Sequence, residues 1–296
     1  MPGGLAIVTV GSCAFFTAYS GASGVTILAL GGLLYPILRG EGYKERFSLG
    51  LLTTSGSLGL LFPPSLAILI YGIVAGVSIE KMFFAGIVPG TLLMIMLAVY
   101  SMIYGNKSHV DRHEFDFSTL AASIKGCIWD LFLPIGVVTG IFGGYVSIME
   151  AAAATAAYVI IVEVYIYKEI NLRTQFFDLL VESCILFGSL LAILLVALGL
   201  TNLMIDAQLP MKLLAAIENH ITSPLQFLLL LNLFLLLVGA MMDIFSALIV
   251  VVPLILPLAT RYGIDPVHLG IIFLANLEIG YSTPPVGINL FIASQR

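Results

Sequence analysis

This chain of 296 residues is 60% hydrophobic and only 10% charged, and its mean hydropathy is +1.10. Soluble domains contain roughly 45–50% apolar and 25% charged residues, so the composition excludes a soluble fold. It predicts an all-α, polytopic membrane protein embedded in the lipid bilayer. The net charge of −5 indicates little about function, because the charges lie in a few short loops, and no basic surface predicts a nucleic-acid partner.

The first predicted element is a re-entrant helical hairpin over residues 4–38. Its apolar sequence is interrupted at residues 20–24 by Ser-Gly-Ala-Ser-Gly. Each arm of about 15 residues is shorter than the roughly 20 residues that cross a bilayer. We therefore expect both arms to return to one side of the membrane, at the charged loop 39–46.

The second element, residues 47–77, is long enough to span a bilayer but carries Pro63 and Pro64 in its middle. Proline removes a backbone donor, and within lipid the freed carbonyl groups must find another partner. Such a break is tolerated where it is buried in protein or lines a hydrated cavity. The sequence thus predicts a broken transmembrane helix, which is typical of ion and substrate sites.

Residues 78–204 are predicted to hold loops and four continuous spans. A short turn at 78–81 comes first, and a polar loop at 105–125 is expected to end in an interfacial helix. Glu150 is interpreted as a helix-start residue that the helix dipole favours, and residues 206–223 as an amphipathic interfacial segment. The four spans are placed at residues 83–104, 127–146, 147–167 and 183–204.

The chain then repeats its first pattern. Residues 225–260 predict a second hairpin, interrupted at 239–243, and residues 267–296 predict a second broken span. A single offset of 221 residues aligns Pro36, Gly42, Gly59, Pro63 and Pro64 with Pro257, Gly263, Gly280, Pro284 and Pro285. We therefore expect an internal repeat whose two cores are residues 1–77 and 205–296.

The two halves are expected to be inverted, because an odd number of predicted spans, five, separates the two hairpins. Eight basic residues fall on the side to which the first hairpin opens, and the positive-inside rule makes that side cytoplasmic. The eight are Arg39, Lys44, Arg46, Lys107, Arg112, Lys125, Lys168 and Arg173, against Lys81, Lys212 and Arg261 on the other side. Inverted repeats of broken helices that meet near the midplane are the architecture of secondary transporters.

Four segments also carry a resemblance to a known family. They are Gly-Ser-Leu-Gly-Leu-Leu-Phe-Pro-Pro-Ser (56–65), Gly-Ala-Met-Met-Asp (239–243), Gly-Ile-Asp-Pro-Val-His-Leu-Gly (263–270) and Asn-Leu-Glu-Ile-Gly-Tyr-Ser-Thr-Pro-Pro-Val-Gly (276–287). Over almost the whole chain the sequence resembles the large membrane subunit (M subunit) of tripartite ATP-independent periplasmic (TRAP) transporters, in the ion transporter superfamily. Members of that family carry further spans before the first hairpin and after the last broken helix, and we expect this chain to lack both.

The resemblance implies a secondary transporter and not an enzyme. It implies sodium-driven import (symport) of a small organic anion, such as a C4-dicarboxylate or another carboxylic acid, by an elevator mechanism. A periplasmic substrate-binding protein would deliver the anion, and a small membrane subunit would complete the multi-pass complex in the bacterial inner membrane. Sodium is expected as the coupling ion, without any cofactor.

Sodium prefers hard oxygen ligands, which freed backbone carbonyls and hydroxyls supply inside a membrane. By resemblance, the family places its two sodium sites where a hairpin tip meets a break. Sodium site 1 is accordingly expected at Ser20, Ser23, Ser55, Gly59 and Pro63. Sodium site 2 is expected at Gly239, Met241, Asp243, Gly280, Thr283 and Pro285. The alternative is that the hydroxyls only satisfy helix carbonyls.

Two acidic residues lie at membrane depth, where a carboxylate costs roughly 2.5–3.5 kcal/mol and needs a cation, a donor or a proton. Asp243 is interpreted as a ligand or, alternatively, as a cap on the second hairpin arm. Glu278 is interpreted equally as a functional group or as a member of a buried ion pair or cap.

The organic anion is expected between the two breaks. Half-helices begin there at Pro64 and Ser65 and at Val286 and Gly287, and their free N–H groups and dipoles favour negative charge. Two other functions stay open. One is a cation or anion antiporter of related architecture. The other is a rhomboid-like intramembrane serine protease with Ser23 as nucleophile, which would need a base within hydrogen-bond reach.

Overall fold

The computed structural model describes residues 3–107, 117, 123, 125–171, 174–208, 212, 221 and 223–294. The regular secondary structure of these residues is helical, as expected for an all-α protein. Five of the described helices are long and apolar enough to cross a membrane, or six if the bent pair around Pro63 counts as one span. The chain is therefore a multi-pass membrane protein.

The first hairpin consists of α1 (Gly4–Ser20) and α2 (Ser23–Gly40), which pack against each other. Its tip lies at Gly21 and Ala22, within the interruption that the sequence predicted. Gly21 has φ 67°, a conformation that glycine adopts without steric cost, and its N–H donates to the carbonyl of Thr17 to end α1. The paired arms are confirmed, and re-entry into the membrane stays a prediction.

The first broken helix runs from α3 (Glu45–Ser55) through a 3-10 turn (Leu58–Leu61) to α4 (Leu66–Ala75). The two parts are bent by 45°. The Pro63–Pro64 peptide bond between them is cis. The predicted break at this position is thus confirmed.

The turn predicted at residues 78–81 is wrong, because the following helix, α5 (Ile79–Lys107), already begins at Ile79. Gly76 ends α4 with φ 65°, and the hydroxyl of Ser78 accepts the N–H of Lys81. The connection between α4 and α5 therefore ends before the charged residues, which lie in the first turn of α5. Most of the polar loop at 105–125 and of the interfacial segment at 206–223 lies outside the described residues.

Contacts divide the chain into one unit of residues 1–113 and 196–296 and another of residues 114–195. The second unit contains α6 (Ile128–Phe142), α7 (Ile148–Ile161) with a π-helical turn (Val162–Ile166), and the start of α8 (Phe176–Asp206). Glu150 forms a capping box with Ser147, as expected for a helix-start residue. The division into two repeat cores and a middle region stays a prediction.

The second hairpin and the second broken helix lie in the first of these units. They comprise α9 (Pro224–Met241), α10 (Ile244–Arg261), α11 (Pro266–Gly280) and α12 (Ile288–Ser294). The break at residues 281–287 includes a cis Pro284–Pro285 bond. Helix α4 packs on α10, and α12 packs on α2. Each half-helix that follows a break therefore lies against the hairpin of the other half of the chain.

Candidate functional site

The tip of the second hairpin is in direct backbone contact with the second break. A Cβ added at Gly280 would lie 2.7 Å from the Cα of Gly239, so only glycine allows this approach. The N–H of Gly287 donates to the carbonyl of Ala240 at 3.0 Å. The structure thus brings together the two segments that carry the residues proposed for sodium site 2.

Asp243 caps α10. Its Oδ1 and Oδ2 accept the N–H of Ser246 at 3.0 and 3.2 Å. The alternative role as a cap is therefore confirmed, but it does not use up the carboxylate, which has about four acceptor positions. The half-buried carboxylate of Asp243 could therefore also bind a cation between the hairpin tip and the break.

The hydroxyls of Ser55 and Thr283 each bond to the carbonyl four residues earlier in the chain. Ser55 donates to the carbonyl of Leu51 at 2.7 Å, and Thr283 donates to that of Ile279 at 2.8 Å. Both bonds match the alternative interpretation, in which a hydroxyl satisfies a helix carbonyl. Each oxygen keeps lone pairs that could ligate a cation.

Two of the proposed ligands are peripheral. Ser20 is exposed at the end of α1, and its hydroxyl reaches only the carbonyl of Ala22, at 3.5 Å. The side chain of Met241 is 64% exposed, so its backbone carbonyl is the group it could offer. Pro63 and Pro285 likewise have carbonyls as their hydrogen-bonding groups.

The first break is held against both arms of the first hairpin. A Cβ added at Gly59 would collide with the carbonyl oxygen of Ala14 and the backbone nitrogen of Ala18. The hydroxyl of Thr17 donates to the carbonyl of Gly56 at 2.8 Å, and it lies 2.6 Å from the hydroxyl of Thr26 on α2. Gly59 therefore allows a close backbone approach between break and hairpin in the first half, as Gly280 does in the second half.

Ser23 is bound by the opposite half of the chain. Its hydroxyl donates to Oδ1 of Asn289 at 2.8 Å, and the amide nitrogen of Asn289 donates to the carbonyl of Thr53 at 3.3 Å. Asn289 is fully buried in α12. Sequence reasoning missed this residue, although an amide inside an apolar half-helix is itself a signal, since polar groups at membrane depth need partners.

We expect Asn289→Leu to lower the free energy of unfolding by about 1–3 kcal/mol, because it leaves the Ser23 hydroxyl and the Thr53 carbonyl buried without a partner. Thermal unfolding of the purified full complex measures the effect. Ser294→Ala is the control, since Ser294 lies in the same half-helix and is exposed. Equal stability of the two variants would show that the bond network contributes nothing.

Glu278 has neither of the structural roles that the sequence left open. It is 5% exposed, and both carboxylate oxygens are buried without a hydrogen-bond partner among the described residues. The backbone N–H of Leu61, in the first break, approaches the carboxylate without hydrogen-bond geometry. A functional role for Glu278 stays a prediction. Burial of its carboxyl group without a hydrogen-bond partner costs free energy.

The residues proposed for the organic anion differ in what they expose. Ser65 precedes α4, and its hydroxyl is buried without a partner among the described residues, next to Pro64. Val286 is 50% exposed. The N–H of Gly287 is not free, contrary to expectation, because it donates to the carbonyl of Ala240, and the N–H of Ser65 likewise donates to the carbonyl of Phe62, each at 3.0 Å. The donors left at the first break are the Ser65 hydroxyl and the first N–H groups of α4, which have no partner within the helix.

The protease alternative finds no base at Ser23. The hydroxyl donates to an amide oxygen, which does not act as a general base, and of the four histidines only His268 is among the described residues. His268 lies in the first turn of α11, whereas Ser23 begins α2. Nucleophilic activation of Ser23 needs an adjacent base.

A family model and several known proteins are similar to this chain. A family model described as "Tripartite ATP-independent periplasmic transporter, DctM component" matches residues 1–295. The chain is 35% identical over 296 residues to the isethionate TRAP transporter permease protein DctMQ of Oleidesulfovibrio alaskensis. It is 34% identical over 293 residues to the C4-dicarboxylate TRAP transporter large permease protein DctM of Pseudomonas aeruginosa. It is also 32% identical over 296 residues to the ectoine/5-hydroxyectoine TRAP transporter large permease protein UehC of Ruegeria pomeroyi.

These alignments cover the chain more fully than they cover the relatives. They include 99%, 99% and 98% of the chain, in the same order, but 46%, 68% and 68% of the relatives. The chain thus spans about half the length of the isethionate permease and about two thirds of the length of the other two.

Proposed function

The chain belongs to the DctM family of tripartite ATP-independent periplasmic (TRAP) transporters, a family of transport proteins and not of enzymes, and we propose that it forms the path by which such a complex imports a small organic anion. The observation that carries this proposal is the pair of close backbone contacts between a hairpin and a break, at Gly59 and at Gly280. Names of relatives that include C4-dicarboxylate and isethionate support an anionic substrate.

The two halves act as an inverted repeat in this proposal. Helices α2 and α10 have the same length, and their first residues, Ser23 and Ile244, are 221 positions apart. The reciprocal packing of α4 on α10 and of α12 on α2 supports the repeat. Both halves then move together as one body in an elevator motion, because each hairpin is tied to the other half's half-helix.

Sodium binding at the two contacts couples transport to the ion gradient. At the second contact the proposed ligands are the carboxylate of Asp243, the Thr283 hydroxyl and backbone carbonyls of Gly239, Met241 and Gly280. At the first contact the proposed ligands are the hydroxyls of Ser23 and Ser55 and carbonyls around Gly59. Because only the ligands proposed for the second contact include a carboxylate, that site has the larger electrostatic contribution.

The anion is held at the start of α4. The first N–H groups of a helix have no partner within it and carry a partial positive charge. The buried, unpartnered hydroxyl of Ser65 adds a donor next to them. Two bound sodium ions nearby would complete the neutralisation of a carboxylate substrate.

Membership of the family supports a proposal for the partners and the location. A periplasmic binding protein delivers the substrate, and a small membrane subunit joins the large one, as the fused name DctMQ of one relative supports. The complex lies in the inner membrane of a bacterium, with loop 39–46 on the cytoplasmic side.

The function is tested by uptake into proteoliposomes that contain the full complex. The substrates are a panel of C4-dicarboxylates. We expect uptake of at least one of them, and only when the cognate binding protein and an inward sodium gradient are both present. Replacement of sodium by choline is the control for ionic strength. Uptake that persists without a binding protein and follows only ion gradients would contradict this function and favour an antiporter.

A further inference from the structure

A basic cavity lies at the end of the first hairpin that is remote from its tip. It has a volume of about 610 Å³ and is lined by Arg39, Lys44, Glu45, Arg46, Phe47, Tyr100 and Tyr104. Three cationic side chains against one carboxylate give it a positive formal charge. Helix α2 separates it from Ser23 by roughly 25 Å, at 1.5 Å per residue. The cavity is therefore distinct from the proposed sodium and substrate sites.

The cations of this cavity are available to a ligand. Lys44 and Arg46 are exposed, and their side chains make no hydrogen bond or ion pair with the part of the chain that the structure describes. Arg39 uses one guanidinium N–H to bind the carbonyl of Tyr43 at 2.8 Å and keeps its other donors. Guanidinium and ammonium groups in this arrangement suit a phosphate.

Three of the side chains that line the cavity are aromatic, and they belong to a cluster of rings that also includes Tyr43. Phe47 and Tyr104 are stacked with centroids 3.8 Å apart, and Tyr43 and Tyr100 lie 5.3 and 5.9 Å from Phe47. Aromatic side chains with polar edges concentrate at the level of the lipid headgroups. The ring cluster therefore places the cations at the membrane surface.

Exposed aliphatic side chains continue from the cavity along both helices. On α2 these are Leu33 and Ile37, 60% and 43% exposed, and on α5 they are Met96 and Val99, 61% and 47% exposed. In a membrane protein such side chains face acyl chains. A free phosphate would use the cations but would gain nothing from this apolar surface.

We propose that this cavity binds the headgroup of an anionic phospholipid. Its phosphate lies between Lys44, Arg46 and the free donors of Arg39, and its acyl chains run along the exposed aliphatic side chains of α2 and α5. Basic pockets beside transmembrane helices bind anionic headgroups in this way. Basic residues that only set the orientation of the protein in the membrane would need neither a cavity nor stacked aromatic rings beside them.

The test measures lipid binding to the detergent-purified full complex by native mass spectrometry. The probes are phosphatidylglycerol, phosphatidylcholine and inorganic phosphate. We expect phosphatidylglycerol to be retained in preference to phosphatidylcholine. The double variant Lys44→Gln/Arg46→Gln should weaken phosphatidylglycerol binding about 30-fold, since each of the two basic residues contributes about 1 kcal/mol near an anionic surface and about 1.4 kcal/mol is a tenfold change in affinity.

Matched controls decide between the outcomes. Lys81→Gln/Lys168→Gln removes two exposed charges elsewhere and should leave binding unchanged. The cavity variant removes no described side-chain bond, so its fold is expected to persist, which its thermal midpoint checks. Equal phosphatidylglycerol binding by wild type and cavity variant would overturn the proposal. Competition by millimolar inorganic phosphate as effective as that by the lipid would overturn it as well.

Discussion

Asp243→Asn is expected to raise the sodium concentration for half-maximal uptake about tenfold or more, while the protein stays folded. Asparagine is as good an N-cap as aspartate, so one bond from the N–H of Ser246 is retained, to the amide oxygen. The negative charge is lost, and one carboxylate oxygen becomes an NH2 group. Contacts to a charged group contribute about 1.5–3 kcal/mol, and 1.4 kcal/mol is a tenfold change in affinity. The measurement is substrate uptake by the full complex against sodium concentration at constant ionic strength.

Asp265→Asn is the matched control for this variant. Asp265 caps α11 in the same half of the chain, where its Oδ1 accepts the N–H groups of Val267 and His268. It lies outside both proposed sodium sites, so its replacement should leave the sodium response unchanged. Asp243→Ala, by contrast, should lose both the sodium response and about 1 kcal/mol of stability. An unchanged sodium response of Asp243→Asn would mean that this residue is only a cap.

Gly280→Ala is expected to lower the stability of the complex by about 3 kcal/mol and to abolish uptake. The added Cβ would lie 2.7 and 2.8 Å from the Cα and carbonyl carbon of Gly239 and 3.0 Å from the nitrogen of Ala240. All three atoms are backbone, so no side chain can move aside. Overpacking of this kind typically costs about 1–3 kcal/mol, and here it separates the hairpin tip from the break. The thermal midpoint of the purified complex measures the loss.

Gly50→Ala is the control for a helical glycine. A Cβ at Gly50, in α3, would meet no atom within 4 Å. Alanine in a helix interior is about 1 kcal/mol more favourable than glycine, so this variant should be at least as stable as wild type. If Gly280→Ala melted at the same temperature as Gly50→Ala, the close contact would not be required.

The sequence predicted both hairpins and both breaks because glycine and proline act locally. Gly21 ends α1 and Pro63 interrupts the first broken helix through their own backbone properties, and the offset of 221 transfers these boundaries to the second half. The start of α5 was missed because neither glycine nor proline marks it. Ser78 caps that helix from a position where the charges of Glu80 and Lys81 suggested a turn.

Long-range contacts could not be read from spacing. Asn289 binds Ser23 across 266 positions of the chain, and no local pattern indicates which hydroxyl an amide will meet. The role of Asp243 shows a different limit. The free-energy cost of a carboxylate at membrane depth identifies Asp243 as a residue that needs a partner. The sequence does not show whether that partner is the N–H of Ser246 or a bound cation.

We propose that sodium occupies the two contacts between a hairpin and a break, one at Gly59 and one at Gly280. A high-resolution structure of the full complex, determined once in sodium and once in choline, tests it most directly. We predict ion density in sodium near Asp243 and Gly280 and near Ser23 and Gly59, and its absence from both places in choline. Density that is missing from both contacts at saturating sodium would contradict the account.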